Sequence, residues 1–219
     1  STIREAGVGG AERYKELLDK GLEQEELITD TYSKVDKLKK QMYIQTRSYD
    51  DIMKMAMKKS DMLSSIPAIQ PIQNRELTRL ASGFGMRIHP IYKGRRMHWG
   101  IDFSAPRGTP IYATGDGKIT LAKASYLKTG YGNQVEIDQG YGYKTKYAHM
   151  QMFTVKVGQN IKRGDLIGYV GSTGGSTAPH VHYEIIKDNK KIDPIQYMIQ
   201  DISDDEYQKL LELASRENQ

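Results

Sequence analysis

Apolar and polar positions alternate with two different periods along this chain, and the change falls near residue 66. From Ala11 to about Ser65 the pattern predicts helix. Neither Gly nor Pro occurs between Gly21 and Pro67, and Leu, Lys, Glu, Gln, Met and Asp dominate. Ile28, Tyr32, Val35, Met42, Tyr49, Met53, Ala56 and Leu63 lie on alternating steps of four and three, a seam interrupted at Lys39, Thr46 and Ser60. Such a seam fits one long amphipathic helix or coiled-coil arm, and equally a helical hairpin folded onto the remainder. Unbroken from Gln24 to Leu63, the helix would run roughly 60 Å. Pro67 and Pro71 end it, since Pro cannot continue a helix and pushes its predecessor towards extended backbone.

From about Ala81 to Met198 the period shortens to two. GKITLAKA, NQVEID, KTKYAHM, LIGYVG and HVHYEII read as strands, with Gly-rich turns such as GYGN and GGST between them. Residues 203–214 begin with Ser and three acids ahead of an apolar run, which predicts a C-terminal helix. The expected fold is therefore α+β. Residues 1–66 form a helical or coiled-coil arm with a flexible, Gly-rich start, 67–200 a mostly antiparallel β-domain, and 201–219 a closing helix.

Composition narrows the chemistry. Cysteine is absent from the 219 residues, so disulfides, thiolate metal sites and a cysteine nucleophile are excluded. There is no apolar run of about 18 residues to cross a membrane as a helix. No signal-peptide pattern is seen either, although a chain starting at Ser1 says nothing of what precedes it. The net charge of +5 favours polyanions such as cell-wall polymers, but no nucleic-acid-binding motif accompanies it.

All five histidines, His89, His98, His149, His180 and His182, fall in the β-region. On a strand, His180, His182 and Glu184 share a face, as suits either a metal or an exposed polar edge. His98 and Asp102 flank Trp99, Gly100 and Ile101. Zinc accepts both ligand types, and Gly100 would ease the bend between them; alternatively Asp102 is a buried acceptor for backbone donors. Together, His98, Asp102 and one of the H-x-H pair make three ligands, the number a catalytic zinc site takes from its protein. The absence of H-E-x-x-H excludes a thermolysin-like helix site. Weaker candidates for substrate contact are Arg87, which could meet a carboxylate or form a salt bridge, and Ser176 and Thr177 in a Gly-rich loop. Tyr147, two residues before His149, is expected on the same face, lining a groove or packing. Trp99 suits packing or substrate contact.

SGFGMRIHPI, HWGIDFSAPRGTPIYATGDGKI, GYGNQVEI, YAHM and GYVGSTGGSTAPHVHYEI occur in that order. In this the chain resembles the lysostaphin/LytM-type zinc endopeptidases over about residues 81–198. The resemblance implies one zinc ion held by His98, Asp102 and His182, with His149 and His180 as the catalytic pair. It gives His89 no metal role. Glu184 or a backbone carbonyl is expected to orient a ligand histidine from behind.

The implied activity is hydrolysis of peptide crosslinks in bacterial peptidoglycan, at the cell envelope, on the periplasmic face of the inner membrane or at the cell surface. Two bonds fit the family: D-alanyl–diaminopimelate crosslinks or glycine bridges. The first is preferred because an arm followed by such a domain resembles envelope proteins of Gram-negative bacteria. The family layout also suggests a membrane anchor upstream of Ser1. A second reading is a non-enzymatic or autoinhibited regulator that activates or scaffolds other wall hydrolases, its arm recruiting a partner or a second copy. A basic binding module would leave the His/Asp set unexplained.

Overall fold

The computed structural model describes residues 25–88 and 93–198. The predicted start of the helix before Glu25, His89 and the C-terminal helix lie outside them. Two compact units divide between Lys59 and Ser60.

Among the described residues of the first unit, the helical reading gives one unbroken helix with no hairpin turn within it. Helix α1 runs unbroken over Glu25–Ser65, with its last turn in the second unit. Good helix formers and the lack of internal Gly or Pro sustain it, helped by exposed pairs such as Asp30–Lys34 at 2.7 Å. The predicted seam is exposed: Tyr32, Val35, Met42, Tyr49 and Met53 all face solvent.

In the second unit, the end of α1 is capped by a residue far along the chain. The last carbonyls of a helix lack partners within it. Here the Arg163 Nη2 group donates to Leu63 O at 2.7 Å, Ser64 O at 3.1 Å and Ile66 O at 3.0 Å. Asp116 N–H donates to Ser64 O at 2.9 Å, and the Asp116 carboxylate in turn accepts from Arg163 N–H and Lys162 Nζ, each at 2.8 Å.

Among the described residues twelve strands follow: β1 (Arg79–Ser82), β2 (Gly85–Ile88), β3 (Arg95–His98), β4 (Ile101–Ser104), β5 (Pro110–Tyr112), β6 (Gly117–Lys123), β7 (Asn133–Gly140), β8 (Tyr143–Phe153), β9 (Asn160–Ile161), β10 (Leu166–Val170), β11 (His180–Lys187) and β12 (Lys190–Ile192). Strands β2 and β3 form a hairpin. The other ten make one antiparallel sheet with the path β1-β4-β11-β8-β7-β6-β9; β10 joins β5 to β8, and β12 pairs with β11. Alternation places Ile101, Phe103, Val135, Ile137, Val181, Tyr183 and Ile185 in a core where each is buried to within 1%. The core contains one polar thread. Thr114 Oγ1 lies 2.9 Å from Tyr147 Oη and 2.8 Å from Tyr183 Oη, and so satisfies both buried phenols.

Candidate metal centre

Strand pairing brings the site together. Strand β11 lies between β4 and β8, in a register that sets His182 opposite Asp102 on one side and Ala148 on the other. His98 closes β3, and the turn from it into β4 passes directly over β11. A Cβ on Gly100 would stand 2.3 Å from Tyr183 O and 2.9 Å from His182 Cε1. The glycine of H-W-G-I-D is thus required by close approach of backbones rather than by a bend needing unusual dihedrals.

His98 Nε2, Asp102 Oδ1 and His182 Nδ1 converge. They lie 3.2 Å (His98–Asp102), 3.0 Å (His98–His182) and 2.8 Å (His182–Asp102) apart, and all three residues are buried. Tetrahedral donors about 2.0 Å from a zinc ion stand about 3.3 Å apart, so the trio is close to the spacing a metal demands. The far nitrogens settle the tautomers. His98 Nδ1–H donates to Gly83 O at 2.6 Å, and His182 Nε2–H donates to Glu184 Oε1 at 3.1 Å. Each ring therefore turns its other nitrogen inward. A backbone carbonyl thus stands behind His98 and Glu184 behind His182, and the three inward donors fit a divalent cation.

The electrostatics match. Burial opposes charge on Asp102, yet hydrogen bonds and charge from His182 and His98 hold its carboxyl well below the usual range. Burial also opposes an imidazolium at His182, but Asp102 and Glu184 outweigh it and push the value up to about 9. A buried position between two carboxylates thus attracts positive charge. Glu184 is itself drawn down to about 2, burial being overcome by bonds to His182, Tyr131 and Lys191.

The other two histidines stand beside this trio. The rings of His149 and His180 lie 4.8 Å apart, and His149 is 6.0 Å from His182, centre to centre. His149 Nδ1–H donates to Thr173 O at 2.8 Å and His180 Nδ1–H to Ala178 O at 2.7 Å. Both Nε2 atoms are left as acceptors, that of His180 3.7 Å from Asp102 Oδ1. Burial, and then the neighbouring histidines, lower His149 to about 4, so its imidazole is neutral near pH 7.

His149 reaches the site through an irregularity. Two residues after Tyr147, it would face the core if β8 alternated regularly. Instead the pairing with β7 slips between Asn133 and Val135, and His149 takes a left-handed φ of 59°. Its N–H is held by Tyr131 O at 2.8 Å. The expectation that Tyr147 shares its face is corrected accordingly. Tyr147 is fully buried, bonded to Thr114, and lines no groove.

Arg87 Nη2 donates to Asp102 Oδ2 at 3.0 Å, so its salt-bridge alternative is realised, on the carboxylate of the converging trio. Ser176 Oγ lies 3.2 Å from His180 Nδ1 and lines a cleft of about 660 Å³ with Thr173, Asn133, Gln151 and Tyr126; Thr177 is exposed on the same loop. Trp99 is 46% exposed and meets Phe84 edge-on. Sequence reasoning missed Tyr131 and Lys191, which reach Glu184; no periodicity marks either.

Residues 96–194 match the family model described as Peptidase family M23. Over 118 residues the chain is 47% identical to DD-carboxypeptidase/endopeptidase Mpg of Neisseria meningitidis, covering 54% of this chain and 26% of that protein. It is 42% identical to peptidoglycan DD-endopeptidase ShyA of Vibrio cholerae, over 49% of this chain and 25% of that protein. Among solved structures, a zinc-containing peptidase from Vibrio cholerae is 37% identical, covers 57% of this chain and 37% of that one, and aligns with a TM-score of 0.51. The chain spans about a quarter of the length of these two curated relatives.

Proposed function

Since the chain belongs, through its β-domain, to peptidase family M23, we propose that it is a zinc metalloendopeptidase that hydrolyses peptide crosslinks of peptidoglycan in the cell envelope. The observation carrying this reading is the inward convergence of His98 Nε2, Asp102 Oδ1 and His182 Nδ1, each imidazole fixed from behind. Names borne by the Neisseria and Vibrio relatives support DD-crosslinks over glycine bridges.

His98, Asp102 and His182 would hold one zinc ion. When bound, zinc supplies Lewis acidity towards a carbonyl and lowers the pKa of water. His149, neutral and with Nε2 free, takes a proton from the attacking water. His149 then returns that proton to the leaving amine, while His180, fixed by Ala178 O, presents Nε2 to the same space and, in its protonated form, donates to the developing oxyanion. Arg87 keeps Asp102 Oδ2 engaged, so that Oδ1 alone faces inward. Ser176 and Thr177, on the loop that walls the cleft, are placed to meet the substrate chain.

The test is digestion of purified peptidoglycan with and without a chelator, with released muropeptides read by mass spectrometry. Loss of crosslinked dimers, restored by zinc after chelation, is expected. Intact dimers from a protein that binds zinc stoichiometrically would sink the enzymatic reading. The exposed seam of α1 supports a second role, in which the arm associates with itself or with a protein partner and regulates the domain. A full chain that is monomeric in solution, with activity unchanged after removal of residues 1–59, would exclude that role.

A further inference from the structure

We propose that Tyr131 and Lys191 are positioning residues for the metal ligand His182, acting through Glu184. The inference rests on the metallopeptidase reading and adds two residues to it. Glu184 is fully buried, yet a single oxygen, Oε1, accepts three bonds. They come from the Tyr131 hydroxyl at 2.7 Å, Lys191 Nζ at 3.0 Å and His182 Nε2 at 3.1 Å. Oε2 has no partner. Lys191 Nζ also donates to Tyr131 Oη at 3.0 Å, so the donors run in one direction: ammonium to phenol, phenol to carboxylate, and ammonium to the same carboxylate.

Three elements meet at this oxygen. Glu184 stands on β11, Lys191 opposite Ile186 on β12, and Tyr131 in the loop before β7. A carboxylate on β11 alone would be free to turn about its side-chain torsions. Pinned by a cation and a phenol, it holds one acceptor at the His182 Nε2–H. That fixes the tautomer and the rotation that aim Nδ1 at His98 and Asp102. Lys191 is also the cation that accompanies a carboxylate with no access to water, whose burial would otherwise be costly.

Tyr131 does more than hold Glu184. Its carbonyl accepts the His149 N–H at the left-handed turn of β8, so one residue braces the metal ligand with its side chain and the proposed base with its backbone. Replacing only the hydroxyl separates the two, because Tyr131→Phe retains the carbonyl.

The experiment uses the full chain, stripped by chelation and titrated with zinc against a chromophoric competitor, and with cobalt(II) read by its visible spectrum. In Tyr131→Phe and Lys191→Met, zinc affinity should fall roughly 10- to 100-fold and the cobalt bands should shift. Lys191→Arg should restore both, and the melting temperature of metal-free Lys191→Arg and Tyr131→Phe should stay near that of the wild type, whereas Lys191→Met, which leaves a buried carboxylate without its cation, should melt lower. Wild-type affinity and spectrum in both Tyr131→Phe and Lys191→Met would overturn the proposal. Should Lys191→Met not fold, Tyr131→Phe decides alone. A wild-type chain that binds neither metal would overturn the reading of the site itself, a result distinct from variants that bind as the wild type does.

Discussion

Helix α1 and the β-domain are rich in apolar residues and use them in opposite ways. On α1, Tyr32, Val35, Met42, Tyr49 and Met53 remain in solvent; in the sheet, Ile101, Phe103, Val135 and Tyr183 are sealed from it. The helix is specified locally, by residues within a turn or two of one another. The site is specified at long range, for His98 and His182 touch across 84 positions. Mutations should therefore act in different currencies on the two regions: on association in one, on chemistry and stability in the other.

The largest effect is expected where long-range contact is tightest. Asp102→Ala removes a proposed ligand and the partner of two histidines, and should reduce peptidoglycan cleavage by at least about 10³-fold with loss of stoichiometric zinc. Gly100→Ala should approach this without altering any polar group, because its methyl would strike Tyr183 O and His182. Wild-type activity in that variant would show that the turn over β11 is looser than described. Next, His149→Ala should lower kcat by about 10²- to 10⁴-fold while zinc remains bound, which metal analysis beside the kinetics would reveal.

For stability, the contrast is direct. Phe103→Ala, in the core, should cost about 3–5 kcal/mol in denaturant melts of the β-domain. Met42→Ala and Met53→Ala, on the exposed seam, should stay within about 0.5 kcal/mol. A large loss from either methionine would mean that α1 is covered in solution.

The smallest effect concerns acid. The Asp116 carboxyl lies below its ordinary value, burial being outweighed by its bonds to Lys162 and Arg163. A depressed folded-state pKa adds stability above the unfolded value of about 3.9, lost as the pH falls through the folded one. The gap in melting temperature between wild type and Asp116→Asn should thus be full above about pH 4 and close below it.

What the sequence disclosed follows from the same difference in range. The end of α1 at Ser65 was legible from Pro67, and β6, β7, β8, β10 and β11 from period-two alternation. The shared face of His182 and Glu184 followed from strand geometry alone, and the family motifs added which side chains meet. Three features were hidden. The cap on α1 comes from Arg163, about a hundred residues away, and no local signal announces it. The role of Gly100 depends on a strand it never pairs with. Tyr147 and His149 part company because β8 skips a step, and a spacing rule assumes that strands do not.

That skipped step has a consequence for anyone redesigning this protein. His149 owes its place to a defect in the ladder rather than to the ladder itself. A procedure that rewards uniform strands would score the left-handed residue as an error and smooth it away. The outcome would be a better-formed sheet with its imidazole turned inward, a sturdier molecule that had lost the proton acceptor proposed for it. Any thermostable version must therefore treat the irregularity at His149, and the Tyr131 carbonyl that holds it, as fixed points around which the rest may vary.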